Sequence, residues 1–189
     1  MKYILPLFLI LYSYACIRYH LGKKLGVEYI VFVFNKAIAW AAAICLGLSV
    51  IKFNRPFIQK KTFGIYSFTL GFIHVILTLF MSLFDFYPTL FHNSLLTGSG
   101  FFVLLSGIMT FLLMIFPLLS SMFPNKYPDK WIKIGKIALF INFFHPIIIG
   151  FKNWWPTATW PLFLPPITLL ISLIYTIILL IYWKQKRAS

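Results

Sequence analysis

Acidic residues are almost missing from this chain. Glu28, Asp85 and Asp129 are the three in 189 residues, and no apolar run holds two of them. Acid–base chemistry by paired carboxylates is therefore not expected. Charge of either sign is scarce at 11%, where a soluble domain carries about 25%. There are two cysteines, Cys16 and Cys45, with no CxxC spacing, and they read as buried small residues near opposite ends of their helices. The chain has no glycine-rich phosphate loop and no HExxH pair, so hydrolytic or nucleotide chemistry by this chain alone is not expected either.

What the chain does have is hydrocarbon: 61% of its residues are hydrophobic and 20% aromatic. Six uncharged or nearly uncharged runs recur along it, roughly at 3–20, 28–51, 62–84, 99–122, 131–150 and 162–183. A helix rising 1.5 Å per residue needs about 20 residues to cross about 30 Å of hydrocarbon. Only helices satisfy their own backbone groups in lipid without closing a barrel. The expectation is an all-α membrane protein, a single six-helix domain over 1–189 with both termini cytoplasmic.

The net charge of +14 reads as orientation rather than nucleic-acid binding, because the basic residues fall in short connections between apolar runs. Lys2, the group at Lys52, Arg55, Lys60 and Lys61, the group from Lys126 to Lys136, and Lys184, Lys186 and Arg187 make twelve of the seventeen, all on one side by parity. Arg18, Lys23 and Lys24 disagree and face outward if the first run spans; that run would alternatively lie in the interface. "MKYILPLFLILYSYAC" also has the form of a signal peptide. The basic residues after it argue for a retained helix. Trp154, Trp155 and Trp160 in "FKNWWPTATWPLFLPP" read as interfacial anchors on a Pro-stiffened outer loop.

His20 and His92 fall in outer connections, where a solvated histidine needs no explanation. His74 and His145 fall inside apolar runs, where a polar side chain is expensive and turns to the bundle interior. Runs three and five point the same way, and both histidines sit ~20 Å from their basic start. Two imidazoles at one depth on parallel helices can hold one iron between them. Gly64, Ser67, Gly71, His74 and Thr78 share one face of the third run; Gly135, Ala138, Asn142, His145 and Ile149 share one face of the fifth. Such small residues leave room for a flat macrocycle, and the polar ones can orient a ligand imidazole. They equally allow bare helices to pack closely with polar glue. Lys36 is the other charge inside a run. With Asn35 it offers a partner to haem propionates, or it snorkels to the outer headgroups. Pro146 is expected to loosen the helix after His145.

"KKTFGIYSFTLGFIHV" resembles the basic–basic–x–x–Gly–x–x–x–Phe…His segment of ferric reductase-like transmembrane domains. The similarity is closest to the MsrQ-type branch, the haem-binding membrane subunit of a periplasmic methionine sulfoxide reductase system. "HLGKKLGVEYIVFVFNKAIAW" and "ICLGLSVIKF" resemble that branch around its second helix, "LLTGSGFFVLLSGIMTFLLMIFPLLSS" its fourth, and "DKWIKIGKIALFINFFH" its Trp-led fifth. The resemblance implies a cytochrome b in a prokaryotic inner membrane. Electrons would come from a cytoplasmic flavin reductase or quinol, sometimes through bound FMN, and go to a periplasmic enzyme or ferric ion. It makes His74 and His145 the metal ligands of haem b. The family has a further histidine where Gly135 stands, and its loss here points to one haem; the family's spacing from Trp131 to the later histidine is also three residues longer. Asp85, Tyr87 and His92 would lie on the acceptor side. The rival expectation is a non-redox transporter or assembly subunit, in which His74, Lys36 and His145 line a polar path or knit helices.

Overall fold

The computed structural model describes residues 4–20, 26–51, 60–82, 90–92, 95–123, 125–155 and 157–187. They form six α-helices: α1 Ile4–His20, α2 Val27–Val50, α3 Lys60–Ser82, α4 Gly98–Met122, α5 Ile134–Gly150 and α6 Ile167–Arg187. A two-stranded antiparallel hairpin, β1 Phe91–His92 and β2 Leu95–Leu96, precedes α4. Among the described residues, five helical segments are long and apolar enough to cross a membrane. Their outward faces carry bare hydrocarbon, such as Phe72, Leu79, Phe102, Phe140 and Leu180. This is a helical membrane protein whose exposed surface suits lipid.

The first helix is shorter than the rest. Its 17 residues reach about 25 Å at 1.5 Å per residue. It is nevertheless packed into the bundle. Leu11 and Ala15 are buried, Tyr14 stands edge-on to Trp40 at 5.3 Å, and the Tyr14 hydroxyl donates to the Pro165 carbonyl at 2.7 Å. An α1 lying apart from the other helices does not fit these contacts.

Helix α2 is the central rod. In its apolar window 61% of residues are buried, against 6% in α3. Val33, Ala37, Ala41 and Cys45 recur every four residues along it and are fully buried, so neighbouring backbones can approach closely. Its partner α3 is also tied to α4 by rings: Phe111 stacks on Phe68 at 5.0 Å and on Phe72 at 5.9 Å.

The ends of the helices follow local chemistry. Thr97 caps α4, its hydroxyl accepting from the Gly100 amide at 2.9 Å. A 3₁₀ turn at Asp129–Lys133 leads into α5. The sixth helix begins at Ile167, five residues later than the hydropathy pattern predicts at 162. The run before it is apolar but cannot wind: Pro165 and Pro166 lack amide donors, and Leu162 and Phe163 take positive φ of 49° and 57°. At the other end α6 continues to Arg187, because Lys184, Lys186 and Arg187 complement the negative pole of the helix.

Candidate metal-ligand pair inside the bundle

Each intramembrane histidine is held by one nitrogen only. The His74 ring places Nδ1 2.8 Å from Asn35 Oδ1 on α2. The Asn35 amide in turn donates to Thr78 Oγ1 at 3.0 Å, and Thr78 lies one turn beyond His74. An amide oxygen only accepts, so the proton sits on Nδ1. His145 is held in the same sense by α4. Its Nδ1 lies 3.1 Å from the Val103 carbonyl and 3.0 Å from Ser106 Oγ, while the Ser106 hydroxyl donates to that carbonyl at 2.9 Å. A backbone carbonyl cannot donate, which again puts the proton on Nδ1.

Both Nε2 atoms consequently carry a lone pair, and among the described residues neither has a hydrogen-bond partner. This is the state in which a neutral imidazole binds a metal, with the far nitrogen donating to a carbonyl or amide that fixes tautomer and ring plane. No group of three or more His, Cys, Asp or Glu gathers among the described residues.

Just below this level, toward the lysine-rich end, two buried polar groups lack partners among the described residues. One turn from Ser106 on α4, the Thr110 hydroxyl is buried without a hydrogen-bond partner, and one turn from Lys36 on α2, so is the Trp40 indole nitrogen. Such groups are rare in a closed interior, because burying an unpaired donor costs about 1–3 kcal/mol. Beside His74, a Cβ added to Gly71 would meet no atom within 4 Å.

Other residues singled out by the sequence are placed differently from expectation. Asn35 is fully buried and committed to His74 and Thr78, so it orients a ring instead of waiting for a propionate. Asn142 donates to Tyr175 Oη at 2.5 Å and ties α5 to α6. Ser67, on the small-residue face of α3, donates to the Ala42 carbonyl of α2 at 2.9 Å, so that face packs against α2. Lys36 Nζ lies 5.2 Å from the centre of the Phe32 ring. Pro146 is buried within α5, which runs unbroken to Gly150. Trp154 turns inward, donating to Thr168 Oγ1 at 3.0 Å, whereas Trp155 is exposed. Asp85 and Tyr87 lie outside the described residues, as do the side chains of His20, Glu28 and His92.

Sequence reasoning missed Val103, Ser106 and Gly107. The signal available was "LLSGIM", two small residues in mid-helix. A Cβ at position 107 would lie 3.4 Å from His145 Cε1, so the imidazole packs directly over Gly107 on α4.

Asn35→Leu keeps the shape and removes both bonds. It leaves the His74 Nδ1 proton only the long contact to Thr78 Oγ1 at 3.5 Å and is expected to destabilise the protein by about 2 kcal/mol. A fall in the thermal midpoint in detergent would show this. In a double-mutant cycle with Thr78→Val the losses should not add, because the two residues share one network. Additive losses would mean the triangle does not act as a unit.

No protein-family model matches the chain, and comparison with curated proteins finds no match.

Proposed function

We propose that the chain is a membrane-embedded b-type cytochrome that relays single electrons across the bilayer. The observation that carries this reading is the pair of half-buried imidazoles, each with Nδ1 bonded to a protein oxygen and Nε2 left open. His74 and His145 would be the axial ligands of one haem b. Asn35 and the Val103 carbonyl fix the two ring planes. Gly71 leaves room beside His74, Thr110 and Trp40 offer unpaired donors, and Lys36 offers a cation to a propionate. Bound haem b supplies one-electron redox chemistry, and two imidazole ligands leave its iron no open position for oxygen. The protein's own part is ligation, orientation and exclusion of water.

On this reading the chain is akin to ferric reductase-like membrane subunits of the MsrQ type in a prokaryotic inner membrane, spanning it six times with both termini cytoplasmic. The donor is a cytoplasmic flavin reductase or quinol, with FMN as a further cofactor. The acceptor lies outside, a methionine sulfoxide reductase or ferric ion. The absorption spectrum of protein purified from haem-replete cells tests the proposal. A Soret band that sharpens and shifts on adding dithionite supports it; colourless, folded protein refutes it.

A second reading has an observation of its own. The α3 face that carries His74 bonds to α2 at Ser67 and through Asn35 and Thr78, which is how polar residues glue bare helices. On that reading the histidines stabilise a transporter or assembly subunit and bind no metal.

A further inference from the structure

Away from the histidine pair, a cleft of about 730 Å³ lies at the lysine-rich end of the bundle. It lies between the last turns of α2, α4 and α6 and the first turns of α3 and α5. Lys60 and Lys61 come from α3, Lys133 and Lys136 from the start of α5, and Lys186 from α6. Five lysines from three helix ends therefore line one opening. No carboxylate lines it among the described residues. Lys136 is held 4.9 Å from the centre of the Tyr182 ring, a contact that positions its charge without cancelling it. Deeper in, Leu46, Val50, Ile65, Met114 and Leu118 make the walls apolar. Gly64 and Gly135 also line the cleft and keep it open, since a Cβ at either position would meet nothing closer than 3.9 Å and 3.5 Å respectively.

The geometry points to a binding site for an acidic phospholipid. The cleft is amphipathic in the sense that a lipid is: cationic at the mouth, apolar one to two turns below. It opens at the ends of membrane-crossing helices, which is the level of the headgroups, where phospholipid is the most concentrated anion. Basic pockets between helices on the cytoplasmic side are built to hold anionic headgroups. A volume of this size falls in the range of small-ligand sites, about 300–1,000 Å³, enough for a phosphate headgroup and the first part of its acyl chains. The site is independent of any metal held by His74 and His145.

The test is lipid retention. The protein is purified in mild detergent, exchanged into mixtures of phosphatidylglycerol and phosphatidylcholine, washed, and its bound phospholipid counted by mass spectrometry. Wild type should keep phosphatidylglycerol in preference to phosphatidylcholine. The triple variant Lys61→Gln, Lys133→Gln, Lys136→Gln should lose it roughly tenfold or more. A second triple, Lys126→Gln, Lys152→Gln, Lys184→Gln, removes equal charge away from the lining and should retain it. Equal retention by the two triples would overturn the site, and so would a wild type that shows no preference for acidic lipid, a result that needs no variant to fold. Displacement of the lipid by millimolar inorganic phosphate or a mononucleotide would reassign the cleft to a soluble phosphate compound and overturn the proposal.

Discussion

Alanine at position 74 or 145 is expected to leave a folded protein that no longer holds haem. The reason lies in what each ring leaves behind. When His145 is removed, the Val103 carbonyl still accepts from Ser106 Oγ at 2.9 Å. When His74 is removed, the Asn35 amide still donates to Thr78 Oγ1 at 3.0 Å. Neither deletion strands a whole network, so each variant should express and migrate as wild type does. On the proposed reading, however, a bound haem would lose one of the two residues that hold it. Removing an outer-shell partner alone lowers metal affinity about 10–100-fold, and loss of the ligand itself should exceed that. Haem per protein, measured by the pyridine haemochrome assay, should fall to near background in both variants. If the histidines are only helix glue, the same substitutions shift the thermal midpoint and change no spectrum, because there is none to change.

Gly100→Ala is the largest expected effect on stability. Gly100 is buried near the start of α4, and a Cβ there collides with the carbonyl group of Leu90. That carbonyl is not free to retreat. It accepts the Thr97 amide at 2.9 Å, and the Thr97 hydroxyl reaches it at 3.2 Å. Backbone against backbone has no rotamer to escape into, so the loss should reach about 3 kcal/mol, the upper end of ordinary overpacking. Gly71→Ala is the matched comparison. Its Cβ meets nothing within 4 Å, and alanine in a helix interior gains about 0.5–1 kcal/mol over glycine. Thermal midpoints of the haem-free protein in detergent should therefore move in opposite directions. If both fall alike, the hairpin does not pin the start of α4.

Much of this fold is legible in the sequence, because in lipid an unbroken apolar run has one low-energy backbone. The boundaries of α2, α3 and α4 fall within two residues of where hydropathy ends them. The sixth helix is the instructive exception. "WPLFLPP" is as apolar as the helix it precedes, and hydropathy does not register that Pro165 and Pro166 cannot donate or that Leu162 and Phe163 turn left-handed. The histidines are legible for the opposite reason, as polar groups where only function or packing keeps them. Their partners are not. Val103 contributes a backbone carbonyl, which no residue type announces, and Asn35 looks as suited to a propionate as to a ring. The small-residue face of α3 fits both a cofactor gap and a helix contact, and Ser67 and Gly64 turn it toward α2. The convergence of lysines on one cleft follows from parity, but its apolar floor needed the three-dimensional arrangement of five helices.

The open Nε2 atoms of His74 and His145 are best tested by low-temperature electron paramagnetic resonance on the oxidised, purified protein. The account predicts one low-spin ferric haem with two imidazole ligands, lost in both alanine variants. A high-spin signal, a low-spin signal that survives either substitution, or no haem at all in folded protein would contradict it.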